Sequence, residues 1–232
     1  MPQEAQEIGI SISDRQLKDF VSFAGELAEW NQNVNLSAIR DAEGIRRKLF
    51  LESLTCLKVM HGSPIDRVID VGAGAGFPGF PLKIMRPEMH LTLVESVGKK
   101  TDFLAHIVQE LGLQDVAVEN ERVEKLGQTA GHREAYDWAV ARAVAAMPVL
   151  VEYLLPLVRV GGFMLAQKGK QAHEEVETAI KAIRILGGGE PRLEQVSLPG
   201  QEEERYLVVV EKIAPTPEKY PRHVGVPSKN PL

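Results

Sequence analysis

The segment from Val68 to Phe77 (VIDVGAGAGF) constrains the fold of this chain more than any other. A short apolar run, typical of a buried strand, leads into three glycines, and the following Pro78 suits the first turn of a helix. Backbone N–H groups at such a helix start can bind a polar or anionic ligand. A dinucleotide-binding loop would require glycine where this chain has Phe77. The segment therefore predicts a strand, a ligand-binding loop and a helix, without the dinucleotide pattern.

Strand and helix patterns alternate after this loop. Seven strands are predicted, over residues 68–71, 91–95, 116–119, 138–141, 162–166, 192–197 and 206–211. Helical stretches separate most of the first five, which indicates a parallel sheet with helices on both faces. The last two strands follow a triple glycine and are joined by an acidic loop, so they predict an antiparallel end to the sheet. We expect an α/β fold with a mostly parallel seven-stranded sheet.

Two further regions flank this main domain, which we place at residues 63–214. Residues 1–62 predict a helical extension, because Ser13 and Asp41 each precede a helical apolar pattern as capping residues. Residues 215–232 form a proline-rich basic tail with no apolar periodicity.

Composition and charge exclude several classes of protein. Hydrophobic residues make up 44% and charged residues 25% of the chain, which is ordinary for a globular protein. The chain has no apolar run of membrane-spanning length and no secretory signal, so we predict a cytoplasmic protein without a membrane partner. A single cysteine, Cys56, and scattered histidines predict no metal site. A net charge of −5 argues against a protein that coats nucleic acid but allows a local basic surface.

The glycine loop resembles the cofactor loop of class I S-adenosylmethionine-dependent methyltransferases. Asp70 stands before Gly72, Gly74 and Gly76, and Glu95 ends the second strand, where an acidic residue can accept hydrogen bonds from a ribose. The alternative for Asp70 is a structural role as a cap for nearby N–H groups. The resemblance implies a Rossmann-like domain that binds S-adenosylmethionine at these five residues.

Absent motifs narrow the methyl acceptor. The Asn/Asp-Pro-Pro-aromatic segment of exocyclic-amine methyltransferases is missing, since Ala141–Val144 (ARAV) occupies its place. Carbon methylation of pyrimidines generally uses a cysteine nucleophile, and Cys56 lies in the helical extension. A ring nitrogen, an oxygen or a small-molecule acceptor remains.

Several motifs together resemble the RsmG family, the bacterial guanine-N7 methyltransferases of 16S rRNA, also called glucose-inhibited division protein B. They are Asn35–Ala38 (NLSA), Asp70–Gly79 (DVGAGAGFPG), Val94–Lys100 (VESVGKK), Arg122–Glu124 (RVE), Ala141–Ala143 (ARA), Tyr220–Arg222 (YPR) and Lys229–Leu232 (KNPL). The resemblance covers nearly the whole chain. It implies methyl transfer from S-adenosylmethionine to a guanosine of the 16S rRNA, in the small ribosomal subunit or its precursor.

The resemblance also implies roles for individual residues. Gly72 and Phe77 are expected at the amino-acid and sulfonium side of the cofactor, Val123 and Glu124 at its adenine, and Arg142 where cofactor and guanine meet. Phe77 and Val123 could instead be core residues, and Arg142 could pair with Glu121 or Glu124. Family members usually have His and Asp where this chain has Leu49 and Glu52, so no catalytic role is assigned to those two positions.

Methylation of guanine N7 needs no general base, because N7 has a free lone pair at neutral pH. Alignment of N7, methyl carbon and sulfur can supply most of the acceleration. Positive charge moves onto the purine during transfer, so Arg142, the one catalytic candidate, is expected to bind guanine O6, a carboxylate or a phosphate and not N7.

Local basic clusters are the candidates for RNA contact. They comprise Arg46, Arg47, Lys48, Lys99, Lys100, Arg122, Lys168, Arg222 and Lys229, with the acidic runs at 174–177 and 202–204 expected to face away. For Arg222 two roles stay open, an RNA phosphate contact or an ion pair that holds the tail in place.

Two other functions remain possible at this stage. One is a class I methyltransferase with another acceptor, such as a ribose 2′-hydroxyl with Lys168 as base, or a small molecule. The other is a non-catalytic RNA-binding module of the same fold. We expect a monomer in each case.

Overall fold

The computed structural model describes residues 1–200 and 203–232, in which seven strands form one sheet. The strands are β1 (Arg67–Val71), β2 (His90–Val94), β3 (Val116–Glu119), β4 (Tyr136–Arg142), β5 (Val158–Lys168), β6 (Arg192–Val196) and β7 (Arg205–Glu211). Their order is β3-β2-β1-β4-β5-β7-β6, with β1 to β5 parallel and β7 antiparallel to both of its neighbours. The predicted mostly parallel seven-stranded sheet is confirmed.

The strand order reverses between β1 and β4. Ligands of open α/β sheets bind at such a switch point, beyond the carboxyl ends of the strands. The carboxyl ends of β1, β2 and β4 are Val71, Val94 and Arg142, so the predicted glycine loop, Glu95 and Arg142 all meet at this edge. The fold therefore places these candidate cofactor-binding residues where a ligand is expected.

Helices cover both faces of the sheet. They are α1 (Pro2–Glu7), α2 (Asp14–Trp30), α3 (Ala42–Gly44), a π-helix (Ile45–Leu51), α4 (Glu52–Leu54), α5 (Cys56–Met60), α6 (Gly79–Met85), α7 (Gly98–Glu110), α8 (Val123–Leu126), α9 (Met147–Leu154) with a 3₁₀ turn (Leu155–Leu157), α10 (Ala172–Ile185) and α11 (Val226–Lys229). One face of the sheet, with Val140 and Leu165, packs on the N-terminal helices, and the other, with Ile69 and Ala139, packs on α9 and α10.

The N-terminal extension begins its helices where the capping residues predict. The Ser13 hydroxyl accepts a hydrogen bond from Gln16 N, and the Gln16 side chain accepts one from Ser13 N, which completes a capping box. Asp41 accepts a hydrogen bond from Gly44 N at 2.7 Å. The second helical stretch differs from a regular helix, because the π-helix interrupts it over Ile45–Leu51. Such segments are rare and are frequent at functional sites.

The C-terminal tail packs against the main domain along its length. The Arg133 side chain donates hydrogen bonds to the carbonyl oxygens of Thr216 (2.8 Å) and Tyr220 (2.7 Å). Further along, Gly225 N donates to Glu124 Oε1 at 2.9 Å. The tail lacks apolar periodicity, and it is held largely by side chains of the main domain that bind its backbone.

Arg222 forms an ion pair inside this packing. Its Nε lies 2.9 Å from Glu152 Oε1 and its terminal nitrogen lies 2.6 Å from Oε2, and its backbone N also donates to Oε1 at 2.8 Å. The Glu152 side chain is completely buried. The structure therefore favours the second role for Arg222, and the assignment of this residue to RNA contact is corrected: its guanidinium neutralises a buried carboxylate.

Candidate functional site: a cavity at the carboxyl edge of the sheet

The three loop glycines all adopt positive φ, at 68° for Gly72, 59° for Gly74 and 88° for Gly76. L side chains rarely adopt this conformation, so the loop depends on glycine. A Cβ on Gly76 would lie 2.1 Å from Phe80 Cδ2, whereas a Cβ on Gly74 would meet no atom closer than Gly72 O at 3.8 Å. Gly76 is thus required for packing under the loop, and Gly74 leaves open space beside it.

Asp70 lies below the loop and is completely buried. Its Oδ2 accepts a hydrogen bond from Gly79 N, at the first turn of α6, at 2.8 Å. Burial raises the pKa of Asp70 to about 7, and the Gly79 N–H and the charge of Arg142 oppose part of that rise. Asp70 therefore caps a backbone N–H, the structural alternative weighed for it, and it is not in the cavity wall described below.

Glu95 follows β2 and points back to the glycine loop. Its Oε2 accepts a hydrogen bond from Gly74 N at 3.1 Å, and its Oε1 accepts one from Val97 N at 2.9 Å. Asn120 Nδ2 donates to the Glu95 backbone carbonyl oxygen at 3.1 Å. Gly74 and Val97 thus fix the carboxylate at the sheet edge and Asn120 fixes its backbone, and the carboxylate can accept further hydrogen bonds from a ligand.

A cavity of about 310 Å³ opens beside Glu95, which is within the range of small-molecule sites. It is lined by Val71, Gly72, Val94, Glu95, Ser96, Glu121, Arg122, Val123, Val144, Ala145, Tyr153 and Ser228. The structure brings together four of the predicted residues, Gly72, Glu95, Arg122 and Val123. The apolar side chains supply surfaces for a flat ring, and the Glu95 carboxylate supplies an acceptor for a sugar diol.

Sequence reasoning gave no binding role to the other eight residues of this wall, which are Val71, Val94, Ser96, Glu121, Val144, Ala145, Tyr153 and Ser228. Val71, Val94 and Glu121 each directly precede a predicted site residue. Ser96 directly follows Glu95, and Val144 and Ala145 follow Arg142, so adjacency to the predicted site residues could have indicated them. Tyr153 and Ser228 carry no local signal, since they reach the cavity through α9 and through the folded-back tail.

Two predicted cofactor contacts have other partners. Phe77 lies in the core, 5.1 Å from the Phe23 ring in a stacked arrangement, which is the core role weighed for it. The Glu124 side chain has no exposure, and its carboxylate accepts hydrogen bonds from Gly225 N and Arg122. Burial alone would raise the pKa of Glu124, but these two partners outweigh it and the pKa is lowered. Glu124 thus holds the tail, and neither residue lines the cavity.

Arg142 ends β4, two residues before Val144. Ala143 between them has a φ of 54°, a left-handed conformation that costs an alanine about 1 to 2 kcal/mol. Burial lowers the pKa of Arg142, and the Glu52 carboxylate opposes that effect most. The charged groups around Arg142 are Glu52, Asp70 and Arg205, so the predicted alternative partners Glu121 and Glu124 are wrong.

Most of the cations proposed for RNA contact already face carboxylates. Arg46 and Arg47 pair with Glu4, Lys48 with Glu203, Arg122 with Glu124, Lys168 with Glu175 and Arg222 with Glu152. The expectation that the acidic run faces away is therefore wrong for Glu203 and for Glu175, while Glu202 lies outside the described residues.

Three of these cations, Lys99, Lys100 and Lys229, have no ion pair within residues 1–200 and 203–232. Lys99 and Lys100 begin α7 just after Glu95, and Lys229 directly follows Ser228 of the cavity wall. The three lysines of the predicted RNA-binding set that have no ion pair among the described residues thus lie close to the cavity.

Within the part of the chain that the structure describes, no three His, Cys, Asp or Glu side chains come together as a metal-binding group. In the same residues, no helix is both long enough and apolar enough to cross a membrane.

Comparisons with known proteins agree with this architecture. The family model described as rRNA small subunit methyltransferase G matches residues 16–205. Ribosomal RNA small subunit methyltransferase G of Roseiflexus castenholzii is 50% identical over 97% of this chain and 95% of its own, and that of Alkaliphilus metalliredigens is 46% identical over 98% and 95%.

Solved structures share the fold at low identity. The O-methyltransferase from Bacillus cereus in complex with SAH has a TM-score of 0.57 and 15% identity over 91% of this chain and 96% of its own. A SAM-dependent methyltransferase from Aquifex aeolicus has a TM-score of 0.53 and 16% identity over 75% and 94%. The domain has the class I methyltransferase fold, and the chain belongs to the family of ribosomal RNA small subunit methyltransferase G.

Proposed function

We propose that this protein transfers a methyl group from S-adenosylmethionine to N7 of a guanosine in the 16S rRNA of the small ribosomal subunit. The observation that carries the proposal is the cavity at the switch point, with Gly72 and Glu95 in its wall and Arg142 at the neighbouring strand end. Family membership supports the rRNA substrate. N7 as the acceptor atom rests on the resemblance and on the chemistry of the site.

The residues around the cavity fit S-adenosylmethionine. The cofactor supplies an electrophilic methyl group on a sulfonium when bound. The Glu95 carboxylate, fixed by Gly74 N and Val97 N, accepts hydrogen bonds from the ribose hydroxyls. Val71, Val94 and Val123 give the cavity apolar walls for the adenine ring. Open space beside Gly74 leaves room for the amino-acid part of the cofactor at the glycine loop.

Arg142 binds the guanine and not the cofactor. Arg142 ends β4, and its guanidinium is subject to the electrostatic attraction of the buried carboxylates Glu52 and Asp70. It donates hydrogen bonds to guanine O6, which orients the base with N7 toward the methyl group. The attraction of these carboxylates favours a position of the cation away from N7, where it would oppose the positive charge that develops on the purine. No residue has to remove a proton, so positioning supplies the acceleration.

A ribose 2′-hydroxyl as acceptor would require a free general base. Lys168 Nζ instead donates hydrogen bonds to Ala145 O at 2.6 Å and to Glu175 Oε2 at 2.7 Å. Only 10% of its side chain is exposed. The structure gives this alternative no support.

RNA contact is assigned to the free cations near the cavity. Lys99, Lys100 and Lys229 can bind phosphates without first breaking an ion pair, unlike Arg46, Arg47, Lys48, Arg122 and Lys168. We place the protein in the cytoplasm with its ribosomal substrate and expect a monomer, which size-exclusion chromatography with light scattering tests.

The test is mass spectrometry of nucleosides from small-subunit RNA of cells with and without the protein. We expect N7-methylguanosine to be lost without it and restored by the wild type but not by Arg142→Ala. Arg184→Ala is the matched control, because Arg184 pairs with Glu190 at an exposed site. Unchanged N7-methylguanosine in cells without the protein would refute the proposal.

A further inference from the structure

Polar side chains form one cluster on the face of the sheet that the N-terminal helices cover. Arg142 of β4 is paired in register with Gln167 of β5, and Asp70 of β1 with Val140, two residues before Arg142. Since side chains two residues apart share a face, Asp70, Arg142 and Gln167 all point to this side. Glu52 reaches the same place from the N-terminal extension, where the Gln167 side chain contacts its backbone.

Three acceptor oxygens in this cluster are buried without a hydrogen-bond partner among the described residues: Glu52 Oε2, Asp70 Oδ1 and Gln167 Oε1. All three residues are at least nine-tenths buried. One further buried atom has no hydrogen bond, Arg46 Nε, but it faces Glu4 Oε2 at 3.0 Å. Buried polar groups in folded proteins are normally satisfied, so three orphan acceptors at one place indicate a ligand that brings donors.

The orientation of two of these acceptors is fixed. Gln167 Nε2 donates to the Glu52 backbone carbonyl oxygen at 2.8 Å, so the amide oxygen of Gln167 must be the atom that points away. Glu52 Oε1 faces Arg205 Nε at 3.5 Å, which leaves Oε2 free. The cluster therefore presents two acceptor oxygens of fixed orientation, Glu52 Oε2 and Gln167 Oε1, beside the N–H donors of Arg142.

Guanine carries the complementary pattern. Its Watson–Crick edge has one acceptor, O6, followed by two donors, N1–H and N2–H₂, whereas adenine has an acceptor at N1. We propose that Glu52 Oε2 and Gln167 Oε1 accept hydrogen bonds from N1–H and N2–H₂ of the target guanine while Arg142 donates to O6. This rests on the proposed function and assigns the selection of the base to two further residues.

The arrangement leaves N7 free. N7 lies on the other side of O6 from N1, so a base held in this way turns N7 away from Glu52. Arg142 is the partly exposed member of the cluster, whereas Glu52 and Gln167 are buried, so the base enters past Arg142. Glu52 directly follows the π-helix that ends at Leu51. An adenine in the same place would set its N1 lone pair against an acceptor oxygen, which disfavours it.

Inosine at the target position provides the test, because it lacks only the N2 amine and keeps N1–H, O6 and N7. The methylated guanosine is first mapped, and small subunits are reconstituted with guanosine or inosine there. We expect the wild-type enzyme to prefer guanosine by about tenfold or more in kcat/KM, about 1.4 kcal/mol. Of Glu52→Met and Gln167→Met, the variant that loses the acceptor for N2–H₂ should lower the preference below about threefold, through loss on guanosine with little change on inosine. The variant that loses the acceptor for N1–H should slow both substrates, because inosine keeps N1–H. Glu190→Gln, an exposed carboxylate, is the control and should keep the wild-type ratio.

A merely structural role predicts another outcome, in which both substrates slow equally and the ratio is unchanged. That result in both variants, or no preference in the wild type, would overturn the inference. Affinity for S-adenosylmethionine and the melting temperature are measured for each variant, and Gln167→Leu, which also lacks the acceptor oxygen, replaces Gln167→Met if the latter does not fold. The product nucleoside separates the two proposals: absence of N7-methylguanosine from the wild-type reaction refutes the proposed function, whereas N7-methylguanosine with unaltered ratios refutes only the role of Glu52 and Gln167.

Discussion

The ion pair between Arg222 and Glu152 distinguishes two roles for the C-terminal tail. In Arg222→Ala, the Glu152 carboxylate keeps the backbone N–H of residue 222 and loses every hydrogen bond from the guanidinium. Removing one partner of a buried pair costs about 3 to 5 kcal/mol, because a buried charge is left uncompensated. The Arg222 side chain retains 24% exposure, so water reaches the gap and we expect about 2 to 3 kcal/mol.

The assay is urea and thermal unfolding of the wild type and Arg222→Ala, with Lys229→Ala as the matched cation control in the same tail. For a chain of this size, the expected loss corresponds to a fall in melting temperature of roughly 4 to 12 °C. The double variant Arg222→Met/Glu152→Leu should recover much of it, because no charge remains buried. The opposite pattern would refute the reasoning: unfolding of Arg222→Ala unchanged, with RNA binding that loses about 0.7 to 0.9 from its salt slope.

Three further perturbations follow from the geometry of the site and the core. Glu95→Gln should weaken S-adenosylmethionine binding about tenfold by calorimetry, since the amide is a poorer acceptor for the ribose, and equal affinity would reject the assignment. Gly76→Ala should lower the free energy of unfolding by about 3 kcal/mol or more, because its Cβ meets Phe80. Gly74→Ala should lower it by only about 1 to 2 kcal/mol, from its positive φ, and should mainly reduce cofactor affinity. Burial lowers the pKa of Lys212 to about 8 from 10.5, so the unfolded chain binds the extra proton between these values and stability rises with pH there. Between pH 7 and 9.5, deprotonation of this group should raise the free energy of unfolding of the wild type by about 2 kcal/mol, and Lys212→Met should lack that rise in urea unfolding. A rise of the same size in Lys212→Met would contradict the assignment.

Local signals predicted much of the fold. The strand before the glycine loop, the alternation after it and the caps at Ser13 and Asp41 each depend on residues close in sequence. The π-helix over Ile45–Leu51 could not be predicted in this way, because one extra residue in a turn leaves an apolar pattern that still fits a regular helix. Similarly, α9 ends at Leu154, before the 3₁₀ turn that contains Pro156, although the apolar run continues to Val158.

The candidate site was less predictable than the fold. Gly72, Glu95 and Val123 belong to short motifs and reach the cavity together. The neutralisation of the basic clusters depends on carboxylates far away in sequence, such as Glu203 for Lys48. Charge runs in a sequence do not show which charges remain free, and only the folded chain separates Lys99 from the paired cations.

The N-terminal extension covers one of the two faces of the sheet involved in the proposed site, because the cavity and Arg142 lie on opposite faces. The cavity wall, with Val71 and Val123, belongs to the face that packs on α9, whereas Arg142 belongs to the face under the N-terminal helices. The left-handed turn at Ala143 joins them, since it takes the chain from Arg142 to Val144 across the edge of the sheet. A cofactor on one face and a base on the other can then meet only at this edge. Methyl transfer to a lone pair depends on that alignment and on no proton relay. The strained turn at Ala143 therefore has a functional reason, because it fixes the direction from which the base approaches the cofactor.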